Sequence, residues 1–442
     1  MDARSTSVLF LAPEPVQTPT NGASVRVLSL AEAVAEHCRV TVAAPSPSTF
    51  PEGPFDTLET GPVDDQRLAR VLAGHDVVVT QTLPTPRQLA TARRHSARLV
   101  VDILAPLALE AAETGPPEQA RAVARWRSRQ MLAHLVAADL VLCGNERQRD
   151  LIAGVALAAG AMAWGGAEAD AWPRIEVAPP GIDADPPGPT GTPLRASGAV
   201  SEGDRVVLWV GGLWSWFDPV TAVKAVERLR GRRPDLKLVF AGFEYPDPSP
   251  RFDHARPARE TVEYVRRRDL AGHVVFRPEW LGLEDYMNAL LEADVGISLH
   301  RPGPEAHFAA RKRLLDYLRS GLPVACTEGD QIGDLVRAHG LGEVVAPLDV
   351  DACAAALDRL TSGERERVDA SDALVPFHWR NVARPLVEYC VRPDPVRRPS
   401  RRALAALSAQ QYPTFLTAVH RMGREPLARA AGRRLTRALR RA

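Results

Sequence analysis

The sequence predicts two doubly wound α/β domains, each a Rossmann-like parallel sheet covered by helices, joined by a short linker. The 442 residues, 45% of them hydrophobic, are too many for one ordinary core and suit two domains of typical size. Short apolar runs alternate with helical patterns almost throughout, which is typical of βαβ units. The alternation stops once, at a stretch rich in proline and glycine, and then restarts. Because ligands of such sheets bind beyond the carboxyl ends of the strands, we expect a site in a cleft between the two sheets.

The first domain is predicted to span residues 1–183. Within it, residues 22–37 carry apolar side chains at the spacing of one helix face. Asn145 has the position of a helix N-cap, with Gln148 three residues later as its capping-box partner. The strands of this domain are predicted at 8–12, 40–43, 77–80, 99–102, 140–143 and 175–178.

The second domain is predicted at 205–373, after a linker at 184–204 that begins with many prolines and glycines. Its strands are predicted at 206–210, 236–241, 274–277, 295–299, 323–326 and 342–345. Its helices include 219–230, 283–292 and 310–319. Residues 374–390 have the pattern of one helix, and we expect the segment 374–395 to return towards the N-terminal domain. The remaining residues, 396–442, are predicted to form a basic amphipathic helical tail.

Charge is distributed unevenly along the chain, although the net charge is only +1. From Val391 to the end there are thirteen arginines and two acidic residues, so the tail is strongly basic and the body mildly acidic. Arginines at helical spacing among alanine and leucine are typical of a helix that lies on an anionic membrane surface. A disordered tail, or one packed on the acidic body, is the alternative. We expect no nucleic-acid partner.

The five cysteines are scattered and form no CxxC pair, so neither a disulfide framework nor a zinc site is expected. The apolar run at 8–11 is followed at once by Pro13 and Glu14, which favours a buried strand over a signal peptide. The longest uncharged stretch, 151–167, is shorter than the roughly 20 residues of a membrane span. A cytoplasmic protein is expected, and peripheral contact with the inner face of the membrane stays open.

Four segments of the second half carry a family resemblance. They are VLWVGGLWSWFDP, LKLVFAG, VVFRPEWLGLEDYMNALLEADVGISL and PEAHFAARKRLLDYLRSGLPVACTEGD. With the looser NGASVRVLSLAEAVAEHCRVTVAAP and PPGID of the first half, they resemble the glycogen-synthase-like (group 1) retaining glycosyltransferases. The resemblance implies the GT-B fold and the transfer of a sugar from a nucleotide-diphosphate sugar, with retention. The acceptor it implies is a glycan, a glycolipid or lipid-linked glycan, or a small natural product.

The resemblance places the diphosphate of the donor at Gly211 and Gly212. These glycines follow an apolar strand, so backbone amides and a helix N-terminus can approach a phosphate closely. A plain strand-to-loop turn is the alternative. Gly22, in the first domain, is expected to approach the phosphate or the sugar from the opposite side.

The phosphate charge is expected to be balanced by Arg311 and Lys312. Family members carry an arginine where Gly212 stands and a lysine in the region of Trp216 and Asp218, and this sequence has neither. Trp216 and Asp218 are themselves expected to lie in the donor-binding site. Arg311 and Lys312 begin a predicted helix just after a strand, where cations oppose the helix dipole, and this placement favours a ligand role. A solvated helix face is the alternative.

Asp316 has the sharpest single assignment. It stands five residues before Gly321, where the family has a glutamate that accepts hydrogen bonds from the donor ribose. An exposed helix acid is the alternative. The family's other glutamate would fall on Phe308, so we expect Glu305 to touch the donor sugar instead, with His307 nearby.

Two further residues lie after predicted strands. Trp280 either borders the nucleobase or packs in the core. Asp102 lies near the place of a family histidine beside the transferred sugar, and is either its catalytic substitute or a cap of the next loop. Asp183 and Asp185 have the spacing of a metal-binding pair but lie in the proline-rich region, so no metal and no other cofactor is expected.

Two other function classes stay open. A nucleotide-sugar epimerase would need clusters of acids and histidines for proton transfer, and the scarcity of such clusters argues against it. An accessory protein that has the fold without the chemistry is favoured by the missing arginine, lysine and histidine. Hydrolysis of the donor without an acceptor separates an enzyme from an accessory protein, and product analysis separates a transferase from an epimerase.

The membrane hypothesis predicts that the full chain sediments with liposomes of anionic lipid at low salt. Binding should fade as salt is raised, because salt screens the attraction, and it should be lost when the chain is truncated after Val391. Absence of binding even at low salt would contradict the hypothesis.

Overall fold

The computed structural model describes residues 6–17, 22–60, 65–81, 86–95, 98–113, 117–158, 173–244, 255–365 and 367–392. The basic tail at 396–442 lies outside these residues, as does most of the stretch 151–167. No helix in these ranges is long and apolar enough to cross a bilayer. The chain divides into two compact units. The first takes in Met1–Ala108, Ala122–Gly181 and a segment that begins at Pro376, and the second takes in Leu109–Arg121 and Ile182–Val375.

The first unit contains a parallel sheet. Its described strands are β1 (Ser7–Leu11), β2 (Arg39–Pro45), β3 (Asp56–Thr60), β4 (Val77–Thr80), β5 (Arg98–Ile103), β6 (Leu140–Cys143) and β7 (Arg174–Val177). They lie in the order β3-β2-β1-β4-β5-β6-β7, and neighbours pair in parallel. The central strands are buried on both faces, which explains why they read as continuous apolar runs. Six strands confirm the prediction to within a few residues.

Strand β3 was missed by the sequence analysis because its residues are mostly polar. Four of its five residues are exposed, and it pairs only with β2, at the edge of the sheet. An edge strand with little to bury needs no apolar run, so local pattern does not reveal it.

The helices up to residue 158 are α1 (Gly22–Ala35), α2 (Asp65–Leu72), α3 (Pro86–His95), α4 (Leu107–Ala112), α5 (Pro117–Ala137) and α6 (Glu146–Ala158). Helix α1 packs Leu30, Ala31 and Val34 into the core of the first unit. Asn145 caps α6 as predicted, since its Oδ1 accepts a hydrogen bond from the Gln148 amide at 2.8 Å.

A buried ion pair joins α1 to β5. The Nε of Arg26 donates to Asp102 Oδ2 at 2.6 Å and its Nη2 donates to Oδ1 at 2.8 Å. The same guanidinium donates to the carbonyl oxygens of Ala178 and Pro179, both at 2.8 Å. Both charged side chains are only 2% exposed. Arg26 therefore ties together α1, the end of β5 and the chain that follows β7.

The second unit contains another parallel sheet. Its described strands are β8 (Arg205–Val210), β9 (Leu236–Ala241), β10 (Val274–Arg277), β11 (Val295–Ser298), β12 (Val324–Thr327) and β13 (Gly342–Val345). They lie in the order β10-β9-β8-β11-β12-β13 and pair in parallel. All six confirm the sequence prediction. Trp209 and Phe240 are fully buried at the centre of its core.

The helices after the first unit's last strand begin with a single turn and continue through the second unit, except for the last two, which belong to the first unit. They are α7 (Pro193–Ala196), α8 (Pro219–Leu229), α9 (Ala255–Arg267), α10 (Leu283–Glu292), α11 (Pro304–Phe308), α12 (Lys312–Arg319), α13 (Gln331–His339), α14 (Val350–Thr361), α15 (Ser371–Leu374), α16 (Trp379–Val382) and α17 (Arg384–Val391). The predicted helix at 283–292 coincides with α10. The helix predicted at 310–319 begins two residues later, at α12.

The prediction of one helix over 374–390 is wrong. The segment is broken into the end of α15, a 3-10 turn at Val375–Phe377, and the helices α16 and α17. The break comes at His378, whose extended backbone ends one helical stretch before the next begins. Leu386 and Tyr389 of α17 are buried in the core of the first unit, so packing and not local propensity fixes this segment.

Asp102→Ala is expected to lower the free energy of unfolding by about 3–5 kcal/mol, because it leaves the Arg26 guanidinium buried without a counter-charge. Urea denaturation followed by circular dichroism measures the loss. Arg149→Ala is the control: it removes an exposed pair with Glu146, with side chains 47% and 57% exposed, and should cost less than about 1 kcal/mol. Equal effects of the two substitutions would contradict a structural role for the buried pair.

Candidate functional site

The candidate site lies at the carboxyl ends of three neighbouring strands of the second unit. Strands β8, β11 and β12 are adjacent in the sheet, so the loops that follow them meet at one edge. In doubly wound sheets this edge is where ligands bind. The three loops lead into α8, into α11 and α12, and into α13.

The loop after β8 is held in a tight conformation by its two glycines. Gly211 has φ +83°, which favours glycine, and its amide donates to Ala241 O at 2.8 Å. A Cβ on Gly212 would lie only 2.4 Å from the indole of Trp214, so no larger residue fits there without movement. The ring of Trp216 lies 6.1 Å from that of Trp214 and is partly buried. Gly211, Gly212 and Trp216 thus lie close together in this loop.

Asp218 caps helix α8. Its Oδ1 accepts a hydrogen bond from the Thr221 amide at 3.2 Å, and its own amide donates to Leu299 O at 2.9 Å. The backbone bond anchors the loop to the residue that follows β11, and the side-chain bond caps the first turn of α8. Asp218 therefore stabilises the start of α8 next to the glycine loop.

A buried chain of charged residues follows β11. Arg311 donates from Nη1 to Glu305 Oε1 at 3.1 Å and from Nη2 to Glu305 Oε2 at 2.7 Å, a two-bond pairing. Its Nε lies 3.5 Å from Asp330 Oδ2. Glu305 is 1% exposed, Arg311 6% and Asp330 0%. The Arg311 charge is thus balanced by two carboxylates inside the protein.

Asp330 and His300 extend this chain, and the sequence analysis missed both. His300 Nε2 lies 3.2 Å from Asp330 Oδ2, while Asp330 Oδ1 accepts from the Gly333 amide at 2.7 Å and caps α13. A signal was present, because an aspartate three residues after a strand and before a helical pattern is a typical N-cap. Burial alone would raise the pKa of Asp330, but the hydrogen bond from His300 and the charge of Arg311 outweigh it, and the pKa is lowered.

Glu113 is a half-buried carboxyl on the same side of the second unit. Burial, and then the charge of Glu305, raise the pKa of Glu113. Its Oε1 lies 3.2 Å from the point where a Cβ on Gly303 would sit. Glu113 is therefore a second acid near Glu305, beside the loop that precedes α11, and no sequence pattern indicated it.

A second group of charges surrounds Asp316 on α12. Lys312 Nζ lies 2.7 Å from Asp316 Oδ1 and 2.8 Å from Oδ2, and the Tyr286 hydroxyl donates to Oδ2 at 2.9 Å. Asp316 is 4% exposed, whereas the Lys312 side chain is 35% exposed. Asp316 is thus buried and held from two sides, which is unlike an acid on a solvated helix face.

The other predicted site residues lie outside these two groups of charges. His307 is exposed on α11, and its ring meets that of Phe308 at 4.9 Å. Trp280 is partly buried in the loop between β10 and α10. Gly22 begins α1 in the first unit, with nothing within 4 Å of a Cβ placed there. Asp102, also in the first unit, has both carboxylate oxygens bonded to Arg26.

Metal binding by the Asp183 and Asp185 pair was not expected, and the structure shows what holds this segment. Arg319 lies 3.1 Å from the Asp183 carboxylate and donates to Asp185 O at 2.6 Å. Among the described residues, no group of three or more metal-ligating side chains is found. The expectation that the reaction needs no metal stays a prediction.

Comparison with known sequences gives one family match. Residues 204–362, which hold the second sheet and the site, match the family model described as glycosyl transferases group 1. A search of curated protein sequences finds no match to the chain.

Solved structures that resemble the chain are similar over nearly its whole length. The HepE protein of Anabaena, in complex with UDP and glucose, has 15% identity, covers 87% of this chain and 99% of its own, and has a TM-score of 0.60. The UDP-forming trehalose-phosphate synthase of Burkholderia xenovorans has 13% identity, coverage of 88% and 100%, and a TM-score of 0.63. Sucrose-phosphate synthase of Thermosynechococcus elongatus has 17% identity, coverage of 87% and 98%, and a TM-score of 0.57. The likeness shows the fold, which is GT-B, with two Rossmann-like α/β domains.

Asp330→Asn is expected to weaken the dependence of stability on acid pH. The folded pKa of Asp330 lies below its unfolded value of about 3.9, so its charge stabilises the fold above that pH and the contribution is lost as the pH falls through the folded pKa. Asparagine keeps the N-cap of α13 but takes up no proton. Urea denaturation from about pH 6 to about pH 3 should show a smaller loss of unfolding free energy in the variant than in the wild type.

The control for this experiment is Asp334→Asn, which removes a 53% exposed carboxylate from the same helix. If Asp330→Asn and the wild type lose the same unfolding free energy over this pH range, the charge of Asp330 does not stabilise the fold.

Proposed function

We propose that this protein is a glycosyltransferase that moves a sugar from a nucleotide-diphosphate sugar to a hydroxyl group of an acceptor. The observation that carries the proposal is the arrangement of Asp316, Lys312, Glu305 and Arg311 in the segment that follows strand β11. These residues lie inside the range that matches the group 1 glycosyltransferase model. The UDP and glucose bound to the HepE protein also favour a nucleotide-sugar ligand.

Asp316 is proposed to bind the ribose of the donor. A carboxylate has about four lone-pair positions, and three hydrogen bonds from Lys312 and Tyr286 already use most of them. The ribose hydroxyls would therefore replace Lys312. Because Lys312 is partly exposed on a flexible stem, its ammonium can turn away from Asp316 towards the phosphates.

The diphosphate is proposed to lie against the loop after β8. The amides of Gly211–Leu213 and the N-terminus of α8 are suited to negative charge. As the sugar leaves, charge builds up on the phosphate oxygens, and amides and cations that are already in place stabilise it without reorganisation. No protein nucleophile and no metal is required for this step. Retention of configuration is part of the proposal and follows from the family resemblance.

Glu305 is proposed to touch the transferred sugar, with Arg311 holding its carboxylate in place and His307 nearby. Both oxygens of Glu305 accept from Arg311, so the side chain has one fixed orientation. Trp280 is proposed to border the nucleobase. Asp102 stays a candidate for contact with the sugar, with Arg26 fixing its orientation.

The acceptor is proposed to be a hydroxyl compound, either a glycan, a glycolipid or lipid-linked glycan, or a small natural product. Among the structural neighbours, the trehalose-phosphate synthase is in complex with glucose-6-phosphate and the HepE protein with UDP and glucose. The basic tail would favour an acceptor at an anionic membrane surface.

An accessory protein with the same fold is the second candidate. The observation in its favour is that Glu305 and Asp316 already neutralise Arg311 and Lys312, the two cations that the sequence analysis assigned to the phosphates. Such a protein would have the fold but would neither bind nor cleave the donor.

The first test is thermal unfolding with UDP, GDP, dTDP and ADP in turn. A ligand at about 100 times its dissociation constant should add about 2.7 kcal/mol to the unfolding free energy. One diphosphate should raise the melting temperature, and Asp316→Ala should abolish the rise because it removes the ribose acceptor. Asp334→Ala, an exposed acid on α13, is the matched control and should keep the rise.

A shift that persists in Asp316→Ala would contradict the assigned ribose site. If none of the four diphosphates stabilises the wild type, the accessory candidate is preferred. If one diphosphate does stabilise the wild type, hydrolysis of the sugar attached to that diphosphate, measured without an acceptor, separates an enzyme from a binding protein. Analysis of the products with an acceptor present separates transfer from epimerisation.

A further inference from the structure

Three consecutive cations lie at the N-terminus of helix α12, and the third differs from the other two in its partners. Arg311 is paired with Glu305 and Asp330, and Lys312 is paired with Asp316. Arg313 forms no ion pair with any carboxylate in the described part of the chain. The positive charge that is not already balanced therefore belongs to Arg313.

Arg313 is held between two aromatic rings beneath the loop after β8. Its guanidinium carbon lies 4.6 Å from the ring centre of Phe217 and 5.2 Å from that of Trp209. Its Nη2 donates to Gly212 O at 2.7 Å, whereas its Nη1 is buried and finds no acceptor among the described residues. Burial lowers the pKa of Arg313, but an arginine stays charged in a protein.

An unbalanced, partly buried charge is costly unless something compensates it. The rings of Phe217 and Trp209 offer cation–π attraction, and the Gly212 carbonyl is a neutral acceptor. Neither supplies a negative charge. The charge of Arg313 would be balanced by an anion, which a ligand can supply.

The hydrogen bond to Gly212 also orients the next peptide unit. In a planar trans peptide the carbonyl and the following N–H point in opposite directions. Because the Gly212 carbonyl points to Arg313, the Leu213 N–H points away from it. Within the described ranges neither the Gly212 nor the Leu213 amide has an acceptor, so both donors are available at the end of β8.

We propose that Arg313 is a positioning residue for the anionic group of the ligand. It supplies the uncompensated positive charge beneath the loop and turns the Leu213 amide outward through the Gly212 carbonyl. The ligand class is a diphosphate, either free or attached to a nucleoside. This inference rests on the proposed function and assigns the phosphate charge to Arg313, with Arg311 holding Glu305.

The test is isothermal titration of the full chain with inorganic pyrophosphate, with the nucleoside diphosphate that gives the largest thermal shift, and with its parent nucleoside. Arg313→Gln should bind both diphosphates about tenfold or more weakly, because a charge-assisted interaction is lost. Its affinity for the nucleoside should not change. Its diphosphate affinity should also depend less on salt concentration than that of the wild type. Arg337→Gln removes one exposed positive charge from α13 and should bind all three ligands like the wild type.

The outcomes separate this inference from the proposed function. Wild-type affinity of Arg313→Gln for both diphosphates overturns the inference and leaves the proposed function standing. Binding of pyrophosphate that depends on Arg313, without binding of any nucleoside diphosphate, supports the inference and overturns the nucleotide donor. Absence of wild-type binding to pyrophosphate and to all four nucleoside diphosphates overturns both.

Circular dichroism shows whether Arg313→Gln folds. If it does not, Arg313→Lys is used for the same titrations. Lysine keeps the charge but lacks the planar fork that reaches Gly212 while lying between the rings. We expect diphosphate binding about threefold or more weaker, with a wild-type dependence on salt. Unchanged diphosphate affinity in Arg313→Lys would overturn the part of the inference that concerns the Gly212 carbonyl.

Discussion

The candidate site depends on how three cations at the start of α12 are compensated. The N-terminus of a helix carries partial positive charge, so Arg311, Lys312 and Arg313 are placed where the helix itself repels them. The fold meets this with carboxylates from other loops and from the helix, namely Glu305, Asp330 and Asp316. These charges come from the ends of β11 and β12 and from α12 itself. Their mutual attraction fixes the shape of this sheet edge.

The first unit uses the same kind of interaction for a different purpose. Arg26 pairs with Asp102 and also bonds two carbonyl oxygens after β7, so its polar atoms are largely satisfied inside the unit. A pair that is so completely bonded holds these elements together and fixes the orientation of both side chains. The contrast is with Lys312, whose partly exposed side chain can exchange Asp316 for another anion. Burial and the number of internal partners thus distinguish a charged side chain that is fixed in place from one that can turn towards a ligand.

The sequence predicted the parallel sheets well, because strands buried on both faces show up as apolar runs. It failed at β3 and at 374–390, where edge pairing or packing, and not local pattern, decides the structure. At the site, the family resemblance singled out Asp316 and Glu305, and the placement of Arg311 at a helix start singled out that cation; their roles stay predictions. His300 and Asp330 were missed, since their contact joins two loops 30 residues apart. No local pattern contains that pairing.

The loop after β8 explains why a cation would come from α12 and not from the loop itself. The indole of Trp214 occupies the space into which a side chain at position 212 would point, with 2.4 Å to a Cβ placed there. An arginine, which the family resemblance would put at that position, cannot be accommodated while Trp214 stays where it is. Arg313 reaches the same loop from below and contacts its backbone at Gly212 O. The glycine, the tryptophan and the arginine of α12 therefore form one interdependent arrangement, in which the charge at the end of β8 is supplied across 101 residues of sequence.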